Sequence, residues 1–376
     1  MKIVYCLPHM YKIGGIERIV SEKMNYLAEH GYEVSVITTD QKDRPFIFPL
    51  SNRIKHYDLN INYEDNPSRP FLPKTYHFLR NRHLHKIRLK ALLLELKADI
   101  TISTLNNEMP ILPQIPDGSK KIAEFHFCRD IFKIITRNGI AGWMDRYTAK
   151  RIPLDLKRYD RFVVLSQEDA EKWKELNNIQ VIHNCSPLEF STQASLEQHK
   201  VISVGRYEHQ KGFEFLIQAW KKVAEEATDW TLHIIGEGSQ RPLLTKLIDE
   251  LGLKNSVFLD GISPNLSKDY LSSSFAVFSS RYEGFLMAIA EAESAGLPVI
   301  SFDTPCGPKD IIRNNEDGIL VPMGNLELLS EKILLLIKNE ERRKIMGEKA
   351  KENAKRFSKD KIMAEWMKLF HDIVNE

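Results

Sequence analysis

Apolar residues along this chain alternate between two patterns. Short, nearly continuous runs occur at Lys2 to Leu7, Glu33 to Thr38, Ala98 to Ser103, Lys121 to His126, Arg161 to Leu165 and Val181 to His183. They read as buried strands, because a strand covered on both faces has no polar side to show. Between them lie longer stretches with helical spacing, such as Ile16 to His30, which Gly31 ends. Strand, helix and strand in succession predict βαβ units and a parallel sheet. Residues 41 to 75, rich in Pro, Asn and Arg, read as loop with room for one edge strand.

At residue 200 the pattern starts again. Lys200 to Val204 reads as a strand, Gly205 and Arg206 turn it, Gly212 to Glu226 reads as a helix, and Thr231 to Ile235 as the next strand. Further strands follow at Val257 to Leu259, Phe275 to Phe278, Val299 to Phe302 and Asp317 to Val321. Helical segments fall around Leu243 to Leu251, Leu326 to Lys338 and Glu340 to Phe357. The expected fold class is α/β: two doubly wound, Rossmann-like domains in tandem. A chain of 376 residues is too long for one ordinary core and fills two. The first is expected over residues 1–186 and the second over 187–357. The polar stretch Asn184 to His199 is the expected linker. Residues 358–376 form a last helix whose stripe of Ile362, Trp366, Leu369, Phe370 and Ile373 needs a surface to cover.

The densest chemistry lies between Phe275 and Phe302. Glu283 and Gly284 break an apolar run, Phe285 to Ala295 follows with helix formers, and Gly296 and Pro298 stop it. A helix start offers free N–H groups to an anion. Glu291 lies eight positions beyond Glu283, about 12 Å if the chain between is helical. It sits among Leu286, Met287, Ala288, Ile289, Ala290, Ala292 and Ala295, so it is expected to be buried, and a buried carboxylate needs a partner. Arg206 and Lys211, in GRYEHQKG, bracket the turn after the second domain's first strand. In an open α/β sheet, ligands bind beyond the carboxyl ends of the strands, so the pair points to an anion site. Taken singly, each of these charges fits a solvated loop equally well.

Composition narrows the class. The Gly14–Gly15 turn in GGIER is not GxGxxG, and there is no Walker P-loop, so a dinucleotide fingerprint is absent. Cys6, Cys128, Cys185 and Cys306 lie far apart with no CxxC, which argues against zinc and for a reducing cytoplasmic setting. No apolar run approaches the roughly 20 residues that cross a bilayer. Residues 1–190 carry 29 Lys and Arg against 23 Asp and Glu, and the remainder 24 against 28. The sharpest basic segment, Arg80 to Lys97, mixes Arg80, Arg82, Lys86, Arg88 and Lys90 with leucines. It fits either an anionic membrane surface or an amphipathic helix packed on its own domain. Nothing in the pattern points to nucleic acid as a partner.

With these motifs in order, the sequence resembles a retaining GT-B glycosyltransferase of family 4. Four features carry the resemblance: GGIER (Gly14 to Arg18), His126 at the end of KIAEFH, GRYEHQKG (Gly205 to Gly212), and a Glu-x7-Glu motif, EGFLMAIAE (Glu283 to Glu291). The resemblance implies an acceptor-binding first domain, a second domain that binds a nucleotide-diphosphate sugar, and catalysis in an inter-domain cleft. The final helix would return to the first domain. Arg206 and Lys211 would neutralise the leaving diphosphate, and Gly15 would donate a backbone N–H to it. Glu283 would bind donor-sugar hydroxyls, with the backbone of Gly284, Phe285 and Leu286 beside it. Glu291 would bind the ribose, while the turn at Gly236 to Gly238 and the stretch at Asp260 to Ile262 would flank the base. His126 would face the donor sugar. The chain departs from the family where Phe127 and Cys128 follow His126 in place of a frequent aspartate. Thr304 to Ile312 stands where family members carry a Gly- and Pro-rich loop that touches the donor or caps the next helix.

The activity so implied is hexosyl transfer from a UDP-sugar to a glycan or lipid-linked acceptor, in bacterial surface polysaccharide, lipopolysaccharide or related glycan synthesis. No cofactor is implied, since the nucleotide sugar is the substrate. No Asp-x-Asp occurs, so the expected clamp on the diphosphate is cationic rather than metallic. Other classes share parts of this plan. A non-hydrolysing nucleotide-sugar epimerase has the two-domain layout, and the Glu-x7-Glu pattern argues against it. A non-catalytic sugar-nucleotide-binding protein would keep the donor residues but not depend on His126. A phosphorylase-like enzyme would need a covalently held cofactor.

Overall fold

The computed structural model describes residues 1–65, 71–134 and 139–376 of the chain; the loop expected over residues 41 to 75 runs partly outside them. Two compact units result. The first comprises Met1–Leu165, Asp169–Ile182 and Met363–Glu376, and the second Ser166–Glu168 and His183–Ile362.

The first unit is built on seven strands: β1 (Lys2–Leu7), β2 (Glu33–Thr38), β3 (Lys55–Asp58), β4 (Ile100–Ser103), β5 (Lys120–Phe125), β6 (Arg161–Val164) and β7 (Ile179–Val181). They run parallel in the order β3-β2-β1-β4-β5-β6-β7. Every residue of β1 and β2 after the first is buried, the signature of a sheet covered on both faces. β3 is the edge strand that the Pro- and Asn-rich stretch left room for. The helix Lys359–Asn375 delivers the apolar stripe of the chain's end to this unit, where Phe370 meets the ring of Tyr32 edge-on at 6.4 Å.

The second unit carries β8 (Lys200–Val204), β9 (Thr231–Ile235), β10 (Val257–Gly261), β11 (Phe275–Phe278), β12 (Val299–Asp303) and β13 (Gly318–Pro322). Their order, β10-β9-β8-β11-β12-β13, is again parallel throughout. Helix Phe213–Glu226 buries Phe213, Leu216, Ile217, Trp220 and Val223, one stripe at helical spacing, into the core of this sheet. Both sheets share one plan: the first strand lies in the middle, the next two extend to one side, and the fourth returns to its other flank. Asn184 to His199 has no regular element, yet it is fastened to the second unit. The Ser186 amide donates to the Phe357 carbonyl and the Ala194 amide to that of Ala295, each at 2.9 Å.

The second unit also buries a knot of charge. Asn353 Nδ2 donates to Glu293 Oε2 at 3.2 Å, and the Arg313 amide donates to Asp317 Oδ1 at 2.8 Å. Arg356 Nη2 donates to the carbonyls of Asp310 and Ile311. Burial pushes the Glu293 carboxyl well above the usual carboxylate range, and the neighbouring Asp317 adds to the effect. Burial likewise raises Asp317 to about 6. A carboxyl raised by folding holds its proton more tightly folded than unfolded. Its stabilisation is complete below the ordinary pKa, near 4, and is lost as pH climbs through the folded value. Asp317→Asn stays neutral, so it should gain on the wild type by about 1–3 kcal/mol between roughly pH 4 and pH 7. Urea unfolding across that range checks this, and a difference independent of pH would show that folding leaves the Asp317 pKa unshifted.

Candidate donor-sugar site

β8 and β11 are neighbours whose outgoing loops lead to opposite sides of the sheet, the place in an open α/β sheet where ligands bind. The loop after β8 carries Arg206 and Lys211, and the loop after β11 carries Glu283 to Leu286. The structure brings these together. Lys211 Nζ lies 2.7 Å from Glu283 Oε1, with the two side chains 15% and 7% exposed. Gln210 Nε2 donates to Glu283 Oε2 at 3.3 Å and to the Tyr282 carbonyl at 3.1 Å. Both carboxylate oxygens of Glu283 are therefore held from the β8 side. Gln210 joins this cluster with no motif or periodicity to mark it. Arg206 stays exposed.

Close backbone packing shapes this edge. Gly236 has φ 147°, and a Cβ there would fall 1.9 Å from the Gly205 carbonyl oxygen, so the loops after β8 and β9 touch backbone to backbone. The Gly236 amide donates to the Gly261 carbonyl at 2.8 Å, which ties in the loop after β10. Next to Gly261, Ile262 stands 68% exposed, a large apolar side chain open beside a glycine turn.

The helix after Glu283 begins later than its composition predicts: it spans Met287–Ser294 rather than Phe285 to Ala295. Gly284 to Leu286 stay outside it, packed against Gly307, whose φ of 105° lets its backbone approach them. A Cβ on Gly307 would stand 3.5 Å from the Leu286 nitrogen. Thr304 to Ile312 thus touches this turn and also supplies the short helix Pro308–Ile311. Met287 and Ile289 donate to the carbonyls of Phe285 and Leu286, whereas the amides of Gly284, Phe285, Leu286 and Ala288 donate to no group among the described residues. Gly284, Phe285 and Leu286 are buried. Free amides are usual at a helix start, as at Leu286 and Ala288, but Gly284 and Phe285 precede the helix and are buried, where unmet donors are uncommon.

Glu291 is 4% exposed, as its apolar setting predicts. Its partner comes from the chain: Tyr270 Oη donates to Glu291 Oε2 at 2.9 Å from the helix Leu266–Leu271. Burial alone therefore does not require a ligand at Glu291. No periodic signal marks Tyr270, which a short helix places 21 residues away.

In the first unit, Gly15 opens the helix Gly15–Glu29, and Glu17 folds back over its start. A Cβ on Gly14 would fall 2.1 Å from Glu17 Oε2, so a carboxylate of the chain already occupies the space beside this helix terminus. Glu17 Oε1 is 3.4 Å from His9 Nδ1. His126 follows β5 directly. Its side chain is 3% exposed, its Nε2 lies 3.3 Å from Glu124 Oε1, and burial lowers its pKa and keeps the ring neutral.

Two family profiles match the chain, "Glycosyltransferase Family 4" over residues 13–190 and "Glycosyl transferases group 1" over residues 187–353. An uncharacterised glycosyltransferase of Haemophilus influenzae is 27% identical over 97% of this chain and 98% of its own length. The amylovoran biosynthesis glycosyltransferase AmsD of Erwinia amylovora is 26% identical over 100% and 99%. Among solved structures, TarM of S. aureus superposes with a TM-score of 0.81 at 17% identity over 98% of each chain. Anabaena Alr3699/HepE in complex with UDP gives 0.75 at 15% identity, over 99% of this chain and 100% of that one. The structural likenesses establish the architecture, and the sequence matches the kinship. The chain is a sugar-transferring enzyme of the group 1, family 4 glycosyltransferases, with the GT-B fold.

Proposed function

We propose that this enzyme is a retaining hexosyltransferase that moves a sugar from a UDP-sugar to a glycan or lipid-linked acceptor in bacterial surface polysaccharide synthesis. The observation that carries the reading is the cluster of undonated amides at Gly284, Phe285, Leu286 and Ala288, beside the Lys211–Glu283 pair. A buried N–H without an acceptor costs about 1–3 kcal/mol. Oxygens of a donor sugar and its diphosphate supply the missing acceptors. Lys211 then shares its charge between Glu283 and the phosphate, Arg206 adds a second cation from the same loop, and Glu283 accepts hydrogen bonds from sugar hydroxyls. Gly236 and Ile262 flank the base, and Glu291 takes the ribose with Tyr270 holding its second oxygen. In the first unit, Gly15 faces the diphosphate and His126 the donor sugar. The relatives' roles in polysaccharide synthesis and the UDP held by HepE support the substrate class.

The chemistry asks little of a side-chain nucleophile. The bond between the anomeric carbon and the diphosphate oxygen breaks as the acceptor oxygen bonds on the same face. The departing phosphate takes the acceptor's proton. Fixed amides and cations aimed at that oxygen stabilise the charge it gains.

The helix Phe71–Leu96 gives this enzyme a way to reach a lipid-linked acceptor at the inner face of the cytoplasmic membrane. Leu89 and Leu93 are buried in the first unit, whereas Tyr76, Leu79, Ile87 and Leu94 are exposed on the same side as Arg80, Lys86 and Lys90. No helix among the described residues is long and apolar enough to cross a membrane. Contact through this face would be peripheral.

Glu291→Gln should weaken UDP binding by about 1–3 kcal/mol in calorimetry, the scale of a hydrogen bond to a charged group. An unchanged affinity would take Glu291 out of the site. Turnover should survive excess EDTA, because cations and amides do the work of a metal. Abolition by the chelator with recovery on adding Mg²⁺ or Mn²⁺ would defeat the cationic clamp. Each basic residue near an anionic surface contributes about 1 kcal/mol. Anionic vesicles should therefore sediment the wild type at low salt, and sediment far less of a variant with Arg80, Lys86 and Lys90 changed to Gln. Equal recovery with neutral vesicles would assign the acceptor to solution.

A further inference from the structure

A pocket of about 660 Å³ opens in the first unit beside the helix Gly139–Leu156. That volume is in the range of small-molecule sites, which are mostly apolar with a few convergent polar groups. One wall is a single stripe of the helix. Arg146, Ala149, Lys150 and Pro153 fall at i, i+3, i+4 and i+7 and so share a face. Two small apolar residues thus alternate with two cations. Phe132 and Arg129, which follow β5, line the pocket as well, with Trp173 and Glu175 from the segment after β6.

The Arg129 part of the lining is pinned and electrically balanced. The Arg129 guanidinium lies 4.4 Å from the Trp173 ring and donates to Glu175 Oε2 at 2.9 Å. Asp169 holds both residues, since it accepts from the Arg129 amide at 2.7 Å and from Trp173 Nε1 at 3.1 Å. The hydrogen bond from Arg129 keeps the Glu175 carboxyl below the usual carboxylate range, so the two charges cancel. The helix wall has no such balance. Arg146 and Lys150 are exposed, and no acidic group among the described residues pairs with either. They stand one turn apart, about 6 Å between Cβ atoms. Leu154, one turn beyond Lys150 and 60% exposed, carries apolar surface out of the pocket.

We propose that this pocket binds the phosphorylated head of a long-chain lipid, the phosphate between Arg146 and Lys150 and the first carbons of the chain over Ala149, Pro153 and Phe132. A phosphate monoester carries close to two negative charges at neutral pH, which two cations without a counter-charge match and a hydroxyl does not. The apolar surface beside those cations, continued at Leu154, suits a hydrocarbon chain and gives free phosphate nothing to fill. The helix Phe71–Leu96 can hold the enzyme at any anionic surface, whereas this pocket selects one lipid by its head. That the lipid carries the acceptor sugar rests on the proposed acceptor class; the preference of the pocket does not.

Calorimetric titration of the full chain with farnesyl phosphate, below the concentration at which it forms micelles, tests the assignment. Farnesol and inorganic phosphate are the controls. Farnesyl phosphate should bind at one site, at least tenfold more tightly than either control. The double variant Arg146→Gln, Lys150→Gln changes only exposed side chains and should weaken that binding at least tenfold. Ala149→Trp fills the pocket and should do the same while circular dichroism stays unchanged. The variant with Arg80, Lys86 and Lys90 changed to Gln should bind farnesyl phosphate as the wild type does. Farnesol binding as tightly as its phosphate, no saturable binding, or full affinity in the double variant would overturn the proposal. UDP titrations of the same proteins separate it from the transferase reading. UDP bound normally without farnesyl phosphate removes the lipid site alone, and farnesyl phosphate bound without UDP removes the donor site alone.

Discussion

Parallel strands that share a sheet edge cannot both be roofed when their outgoing loops leave in opposite directions. That constraint governs the second unit. Because β8 lies between β9 and β11, its loop and that of β11 leave the carboxyl edge in opposite directions. Everything that points to a ligand there is a response to that parting. Lys211 and Gln210 reach across it to Glu283, Gly205 and Gly236 let two loops close to backbone contact, and Gly284 to Leu286 keep their amides unspent. A helix begun at Phe285 would have bonded the Ala288 amide to the Gly284 carbonyl; the start at Met287, against the Gly307 turn, leaves that amide free with those before it.

Each unit also carries charge where an apolar residue would pack more cheaply. In the second, Glu293 and Asp317 stay near Arg356 with carboxyls pushed towards the neutral form. In the first, Lys23 and Glu124 remain a close pair against His126. The two solutions differ in kind. Protonation relieves the first, so its cost depends on pH. Pairing relieves the second, so its geometry is fixed.

Much of the architecture was legible because buried parallel strands read as continuous apolar runs; twelve such runs divide into two series, and among the described strands only the edge strand β3, KHYD, falls outside them. The Glu-x7-Glu stretch and the basic turn were legible for a related reason: chemistry at a strand's carboxyl end sits at a predictable place in the sequence. What escaped notice joins residues far apart. Tyr270 and Glu291 are 21 positions distant, Lys23 and Glu124 are 101, and no periodicity links either pair. The start of the helix at Met287 also escaped, because Phe285 and Leu286 suit a helix and only the tertiary packing against Gly307 holds them out of it.

The last fourteen residues of the chain belong to the unit that the first residues begin. A ribosome finishes the strands of the first sheet long before it makes Trp366, Phe370 and Ile373. Until then the surface that takes them, where Lys23 meets Trp366 and Tyr32 meets Phe370, is uncovered. The first unit thus cannot complete its core during its own synthesis, and must wait while the whole of the second is made. Completion of the first unit therefore follows synthesis of the second, and removal of Trp366, Phe370 and Ile373 would uncover part of the first unit's core.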